Sequence, residues 1–272
     1  ALFVLLCCAL AVTARPADGP LQLEVPAWQL CSRVDGKAAG DRALRDLAAV
    51  LSAPLTGIAL FAEAAIPPRA GLGSSASLAA ACAIALCRYR GGTMEDGQIL
   101  SAIHASERVF HTNPSGVDAA AVLHPGCLQF NRKTGHRMLA VSPPRLVVVF
   151  SGKEGATGEM VTRFARRMAD DPAEGDARVA RVQSLVEEGM RALQRGDWTA
   201  LGQCMNENHT LLQWFGVSCP ELDDICRIAL RHGAAGAKLT GGGGGGCAIV
   251  LVDDHCESAV TTALRAAGYR RI

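Results

Sequence analysis

From Ser77 to Tyr89 the chain reads Ser-Leu-Ala-Ala-Ala-Cys-Ala-Ile-Ala-Leu-Cys-Arg-Tyr, a helical stretch that is apolar on nearly every side. A helix without a polar face has to lie inside a domain, covered by other elements all round. The residues before it narrow the possibilities further. Ile66-Pro-Pro-Arg-Ala-Gly-Leu-Gly-Ser-Ser-Ala76 is a loop by its proline and glycine content, and Gly57 to Ala65 (GIALFAEAA) before it patterns as a strand. Strand, glycine loop and buried helix together bring backbone N–H groups and the positive end of a helix to one point. Glycine lets a ligand approach the backbone closely, and the Ser74 and Ser75 hydroxyls can hydrogen-bond or coordinate Mg²⁺. That suits a triphosphate. The spacing is neither the Walker A loop nor the dinucleotide fingerprint, since no Gly-Lys-Ser/Thr comes after it. A Gly-Ser loop before a helix is also ordinary turn-and-cap chemistry, so the segment alone leaves both readings open.

Two further features carry chemistry. Glu107 falls late in a helix expected over about 95–111, and Asp118 closes the turn Asn113-Pro-Ser-Gly-Val-Asp118 at the start of a short apolar helix at 119–123. The turn can fold both carboxylates toward one site. In phosphoryl transfer one carboxylate can hold Mg²⁺ while another takes the acceptor hydroxyl's proton. Equally, Asp118 can be a helix cap and Glu107 a solvated charge. The third feature is Lys238-Leu-Thr-Gly-Gly-Gly-Gly-Gly-Gly-Cys247, set directly before the apolar run Cys247–Val252. Linkers rarely stand one residue ahead of a buried strand. A tight backbone-lined loop, able to pack on a phosphate-binding loop, is the favoured reading.

Along the rest of the chain, Ala1–Ala14 reads as a buried strand, Pro16–Pro20 as a turn and Leu21–Val25 as a half-exposed strand, together a hairpin. The same opening run resembles a secretory apolar core, but lacks a basic flank and is too short to span a bilayer. The chain starts without Met and is expected to enter mid-element. Residues 41–52 pattern as an amphipathic helix. Leu146–Phe150 is a buried strand, succeeded by helices at 157–169, 177–195, 198–215 and 220–232, a strand at 247–252 and a helix at 256–267. Asp197 is placed to cap the third of the four helices. Two mixed blocks meeting near Ser142-Pro-Pro144 give an α+β class and two domains, 1–142 and 143–272.

The net charge of +1 and the lack of any Lys/Arg block exclude global steering toward nucleic acid or an anionic membrane. Any affinity for phosphate must then come from local geometry. Eleven scattered cysteines show no metal-ligand or redox spacing beyond the adjacent Cys7 and Cys8, and read as buried small hydrophobes of a reducing compartment.

PPRAGLGSSAS resembles the phosphate-loop motif of the GHMP kinases, and KLTGGGGGGCAIV resembles their glycine-rich third motif, in the same order. Within the family, SERVFHTNPSGVDAA, MNENHTLLQWFGVSCPELDDIC and SGKEGATGEMV are similar to segments of the mevalonate kinase branch. The resemblance covers nearly the whole chain. It implies a two-domain fold, with a ribosomal protein S5 domain 2-like N-terminal domain and a ferredoxin-like C-terminal domain. It also implies an ATP- and Mg²⁺-dependent kinase that phosphorylates the primary hydroxyl of mevalonate, in the cytoplasm, with dimers common in the family. In that reading Gly71, Leu72, Gly73, Ser74, Ser75 and Ala76 hold the phosphates, and Ser75 and Glu107 bind Mg²⁺. Asp118 is the catalytic base. Gly241, Gly242, Gly243, Gly244 and Gly245 support the phosphate loop, Thr157 stands near the acceptor, and His111 orients the turn before Asn113.

Three departures stand out. Thr112 replaces the family's glycine. The family's first motif, Pro-Gly-Lys then Gly-Glu-His, has no counterpart, and Lys37 does not replace its lysine. The end at Arg270-Arg-Ile272 leaves no obvious final strand. This stretch of chain is therefore expected to turn over weakly or not at all by itself. Phosphomevalonate, galactose and homoserine kinases, a superfamily decarboxylase, and a nucleotide-binding regulator without catalysis remain the competing readings.

Overall fold

The computed structural model describes residues 2–4, 10–110, 115–155 and 157–272. Residues 5–9 of the apolar opening, and His111, Thr112, Asn113 and Pro114, lie outside the described residues. The chain divides into two compact units, one of Leu5–Pro68 with Gly73–Arg137, the other of Ala1–Val4, Arg69–Leu72 and Met138–Ile272.

A three-residue strand β1 (Leu2–Val4) is grouped with the second unit. The first unit contains β2 (Leu10–Pro20), β3 (Gln22–Val25), β4 (Leu30–Arg33), α1 (Ala39–Val50), β5 (Thr56–Ala64), α2 (Ser74–Tyr89), α3 (Asp96–Phe110) and α4 (Val117–Leu123). The strands β6 (Cys127–Asn131) and β7 (Gly135–Leu139) come next. Its four-stranded sheet runs β2-β5-β3-β4. The hairpin expected at the start does not form. β2 continues through the turn residues, shifts register between Pro16 and Pro20, and pairs antiparallel with β5 from Leu10↔Ala64 to Pro20↔Thr56. β3 pairs parallel with β5 and antiparallel with β4, so β5 separates the two strands. A Pro-Asp-Gly cluster is tolerated as an irregularity in an edge strand, where missing N–H groups cost no ladder bond. Being at the edge also explains why no residue of β2 is buried.

One face of the sheet, through Leu21, Leu23, Val25, Ile58, Leu60 and Ala62, joins α2 in a single core. α2 packs against β2 and α3, as its apolar circumference demands. Leu78 and Leu86, both buried, contribute about 2 kcal/mol each by removal from water.

The second unit runs β8 (Leu146–Phe150), α5 (Thr157–Asp170), α6 (Pro172–Arg195), α7 (Trp198–Trp214), α8 (Pro220–Arg231), β9 (Gly236–Leu239), β10 (Cys247–Leu251), α9 (Glu257–Ala266) and β11 (Arg270–Arg271). Asp197 caps α7 by accepting from the Ala200 N–H at 3.0 Å. The sheet order is β11-β8-β10-β9, all antiparallel. That is the ferredoxin-like arrangement, with α5 to α8 filling the first crossover and α9 the second. A final strand is present after all: Arg270 pairs with Phe150, and the Ile272 N–H donates to Val148 O at 3.0 Å. Val147, Val149, Ala237, Leu239, Ala248 and Val250 share a core with α8 and α9. Leu146, Ile249 and Leu251 join residues of α6 and α7. Cover on both faces accounts for the unbroken apolar runs of β8 and β10.

Candidate active site

In the first unit α2 begins at Ser74, after Gly73 in the left-handed region at φ 68°. The first intrahelical bond of this turn is the Ser77 N–H donating to Gly73 O at 2.9 Å. The N–H groups of Ser74, Ser75 and Ala76 are thus the free donors of a helix start, and no side chain caps them. Together with the helix dipole they favour an anion. Ser74 and Ala76 are buried, and Ser75 is half-buried.

Asp118 reaches this point from the first turn of α4, which itself starts after Gly116 at φ 82°. A Cβ built on Gly73 would lie 3.6 Å from Asp118 Oδ1. Glu107, in the last turn of α3, is 4% exposed. Burial pushes its carboxyl up to about 7, and the charge of Asp118 acts in the same direction. Two carboxylates close enough to feel each other, one of them buried, therefore stand beside an uncapped helix start. Burial and the neighbouring Asp118 both disfavour the ionised form of Glu107.

The second unit holds the other glycine loop. Gly241, Gly243, Gly244, Gly245 and Gly246 all have positive φ. A Cβ on Gly71 would stand 2.6 Å from Thr240 O, and one on Gly241 would stand 2.4 Å from Gly71 Cα. The segment before Gly71 is bound into the same assembly. Cys247 N–H donates to Ala70 O at 3.0 Å, Gly155 N–H to Arg69 O at 2.9 Å, and the Thr240 hydroxyl to Gly71 O at 3.3 Å. Arg69 is itself left-handed, at φ 52°, an uncommon state for a side chain with a Cβ. Leu72 is half-buried at the end of this segment.

The glycines differ in what they touch. Only Gly241 of the expected five lies against Gly71. Gly242 faces Thr157, Gly243 the Val217 carbonyl, Gly244 Met160, and Gly245 the Glu154 carbonyl. Gly246 is not singled out by the sequence reading, yet it donates to Lys153 O at 2.7 Å and packs on Ala70. Its membership of the same glycine run is the available signal. Thr157 is exposed at the first position of α5, with its hydroxyl against Gly242. Lys238, in β9 and followed by Leu239 and Thr240 before the first glycine, opens the motif but is given no role of its own by the sequence reading. Its ammonium donates to Leu239 O at 2.9 Å, and burial lowers its pKa to about 8.

Among the described residues no group of three or more His, Cys, Asp and Glu side chains is gathered for a metal. Glu107 with Asp118 offers a different donor set, two carboxylates, with Ser75 in the helix turn that follows Gly73. It fits a hard cation such as Mg²⁺, which usually completes its coordination with water and phosphate oxygens. All nine cysteines among the described residues are free thiols. Among the described residues, no helix is long and apolar enough to cross a membrane.

Comparison with known proteins gives two family matches, "GHMP kinases N terminal domain" over residues 37–126 and "GHMP kinases C terminal" over residues 190–270. A protein named mevalonate kinase from Aeropyrum pernix is 33% identical over 217 residues, covering 76% of this chain and 66% of that protein. The chain thus spans just under two thirds of that relative's length. Mevalonate kinase from L. major, crystallised with R-mevalonate, superposes with a TM-score of 0.80 at 27% identity, covering 97% of this chain and 84% of that one. Mevalonate kinase from Methanococcus jannaschii gives 0.81 at 22% identity, with 97% and 89% covered, a likeness of fold.

Proposed function

The chain belongs to the GHMP kinase family, and from that premise we propose that it transfers the γ-phosphoryl group of ATP to the primary hydroxyl of mevalonate, giving 5-phosphomevalonate and ADP. The observation that carries the reading is the buried Glu107 beside Asp118, next to the uncapped start of α2. In this reading Gly71, Leu72, Gly73, Ser74, Ser75 and Ala76 cradle the phosphates with backbone N–H groups and hydroxyls. Gly241 to Gly245 hold that segment in place. Ser75 and Glu107 would hold a magnesium ion, whose contribution when bound is to neutralise phosphate charge. Asp118 accepts the proton of the acceptor hydroxyl as its oxygen bonds to the γ-phosphorus and the bond to the ADP oxygen breaks. Thr157 contacts the acceptor. Little covalent work is asked of the protein; orientation and charge placement supply the acceleration.

Mevalonate as acceptor is supported by the name of the Aeropyrum pernix relative and the ligand of the L. major structure. A domain division near residue 142, read from Ser142-Pro-Pro144, is part of the same proposal, as are a cytoplasmic location and a homodimer.

The test is a panel of acceptors incubated with ATP and MgCl₂ and the full-length protein, with products identified by mass. Phosphorylated product from mevalonate alone is the expected result. Product from galactose, homoserine or phosphomevalonate instead would move the substrate and keep the chemistry. Nucleotide binding with transfer to none of them would defeat the kinase assignment.

A further inference from the structure

β9 is an edge strand, with β10 on one side only. An edge leaves alternate backbone groups without a strand partner. Here α7 closes it. Gly202, Asn206 and His209 recur at i, i+4 and i+7 and form one stripe down that helix. A Cβ on Gly202 would stand 2.2 Å from Ala235 O, and one on Gly236 would stand 2.5 Å from Gly202 Cα. Two glycines therefore bring helix and strand backbones together, near enough for short side chains to replace a strand. The Ala237 N–H donates to Asn206 Oδ1 at 2.9 Å, the Asn206 amide donates to Ala235 O at 3.3 Å, and the Leu239 N–H donates to His209 Nδ1 at 3.4 Å.

This last bond fixes the state of His209, which is buried. Nδ1 can accept from Leu239 only while it carries no proton, so the neutral ring keeps its proton on Nε2. Nε2 lies 3.2 Å from Asp223 Oδ1, near enough for attraction though off the line of a hydrogen bond. Asp223 in turn accepts from the Ser218 hydroxyl. The titratable groups that act on the ring are Asp223 of α8 and Lys238 of β9, and Cys226 of α8 interacts with both of these. Burial holds the imidazole below its ordinary value; Asp223 opposes this and Lys238 adds to it.

The residues after Leu239 give the arrangement its consequence. The Thr240 N–H donates to Cys247 O at 3.0 Å, the Thr240 hydroxyl reaches Gly71 O, and Gly241 packs on Gly71. We propose that His209, with Asn206 and Gly202 beside it, is a positioning residue. It stands in for a fifth strand and holds β9 so that Thr240 and Gly241 meet Gly71. The proposal rests on the reading of Gly71 to Ala76 as the phosphate-binding segment.

Hydrogen exchange at the Leu239 amide and Mg-ATP affinity by calorimetry, on the full-length protein with His209→Ala and His209→Asn, test it. Asparagine places an oxygen where Nδ1 stands and does not titrate. His209→Ala should speed exchange at Leu239 about tenfold and weaken Mg-ATP about fivefold, while His209→Asn stays within about twofold of native in both. Acidification through the imidazole pKa should weaken nucleotide binding more steeply in the native protein than in His209→Asn, since protonation of Glu107 is common to both. If His209→Ala fails to fold, the native and His209→Asn pH series decides by itself. Unchanged Leu239 exchange in His209→Ala, unchanged affinity in it, or the same acid response in His209→Asn overturns the proposal. A native protein that binds no Mg-ATP defeats the phosphate-loop reading instead, and Leu239 exchange then still judges the brace.

Discussion

The two glycine loops use the same residue for opposite ends at Gly73 and Gly243. At Gly73 a side chain would meet Asp118 only at ordinary contact distance, so the glycine serves its left-handed φ and leaves room beside a carboxylate. At Gly243 a side chain would sit 1.9 Å from the Val217 carbonyl, whose oxygen already accepts from the Gly244 N–H at 2.9 Å. Gly73 is shaped around space, Gly243 around its own protein, and Gly71 in the first loop resembles Gly243 in this respect. Glycine-rich sequence by itself therefore does not mark a ligand loop; the group opposite each missing Cβ does.

The largest effect expected from this contrast is at Gly243. Gly243→Ala combines a backbone clash with an unfavourable φ, and should cost about 4 kcal/mol of stability, measured by denaturant unfolding. A loss below about 1 kcal/mol, no more than the φ penalty by itself, would show that the second loop is not packed as described. Next comes Glu107. A rise from 4.5 to about 7 in the folded state means that stability falls as pH climbs through that window, because the native protein holds the proton that the unfolded chain has released. Glu107→Gln should therefore be more stable than native by about 3 kcal/mol near pH 8, with the gain gone near the unfolded carboxyl pKa. It should also bind Mg-ATP more weakly. A variant that is less stable near pH 8 would place Glu107 among structural ion pairs. Smallest is Gly73→Ala, with about 1 kcal/mol lost to the left-handed φ alone. Its effect on nucleotide affinity should exceed its effect on stability; the reverse order would make the two glycines alike.

Much of this is legible in the sequence because the signals are local. The apolar circumference of Ser77–Tyr89 requires burial, and the glycines and serines ahead of it mark the helix start. Glu107 and Asp118 can be named together because a Pro-Ser-Gly turn can return the chain on itself. The features that escape depend on distant partners. The Pro16–Pro20 cluster reads as a turn, but β5 arrives between the two strands and the cluster becomes an irregularity in an edge strand. β9 is four residues long and goes unseen. Nothing local announces a strand whose outer edge is bonded to a helix, and Asn206 and His209 look like members of a helix face. The glycine run reads as one unit, although its members face Gly71, Thr157, Val217, Met160, Glu154 and Ala70 in turn.

Asp118→Ala tests the central claim most directly, with Mg-ATP affinity and phosphoryl transfer to mevalonate measured on the same full-length protein. Transfer should fall on the order of a thousandfold, with nucleotide affinity kept or slightly improved by removing a negative charge beside the α2 start. Transfer at near-native rate, or loss of nucleotide binding with a normal fold, would contradict the role given to Asp118.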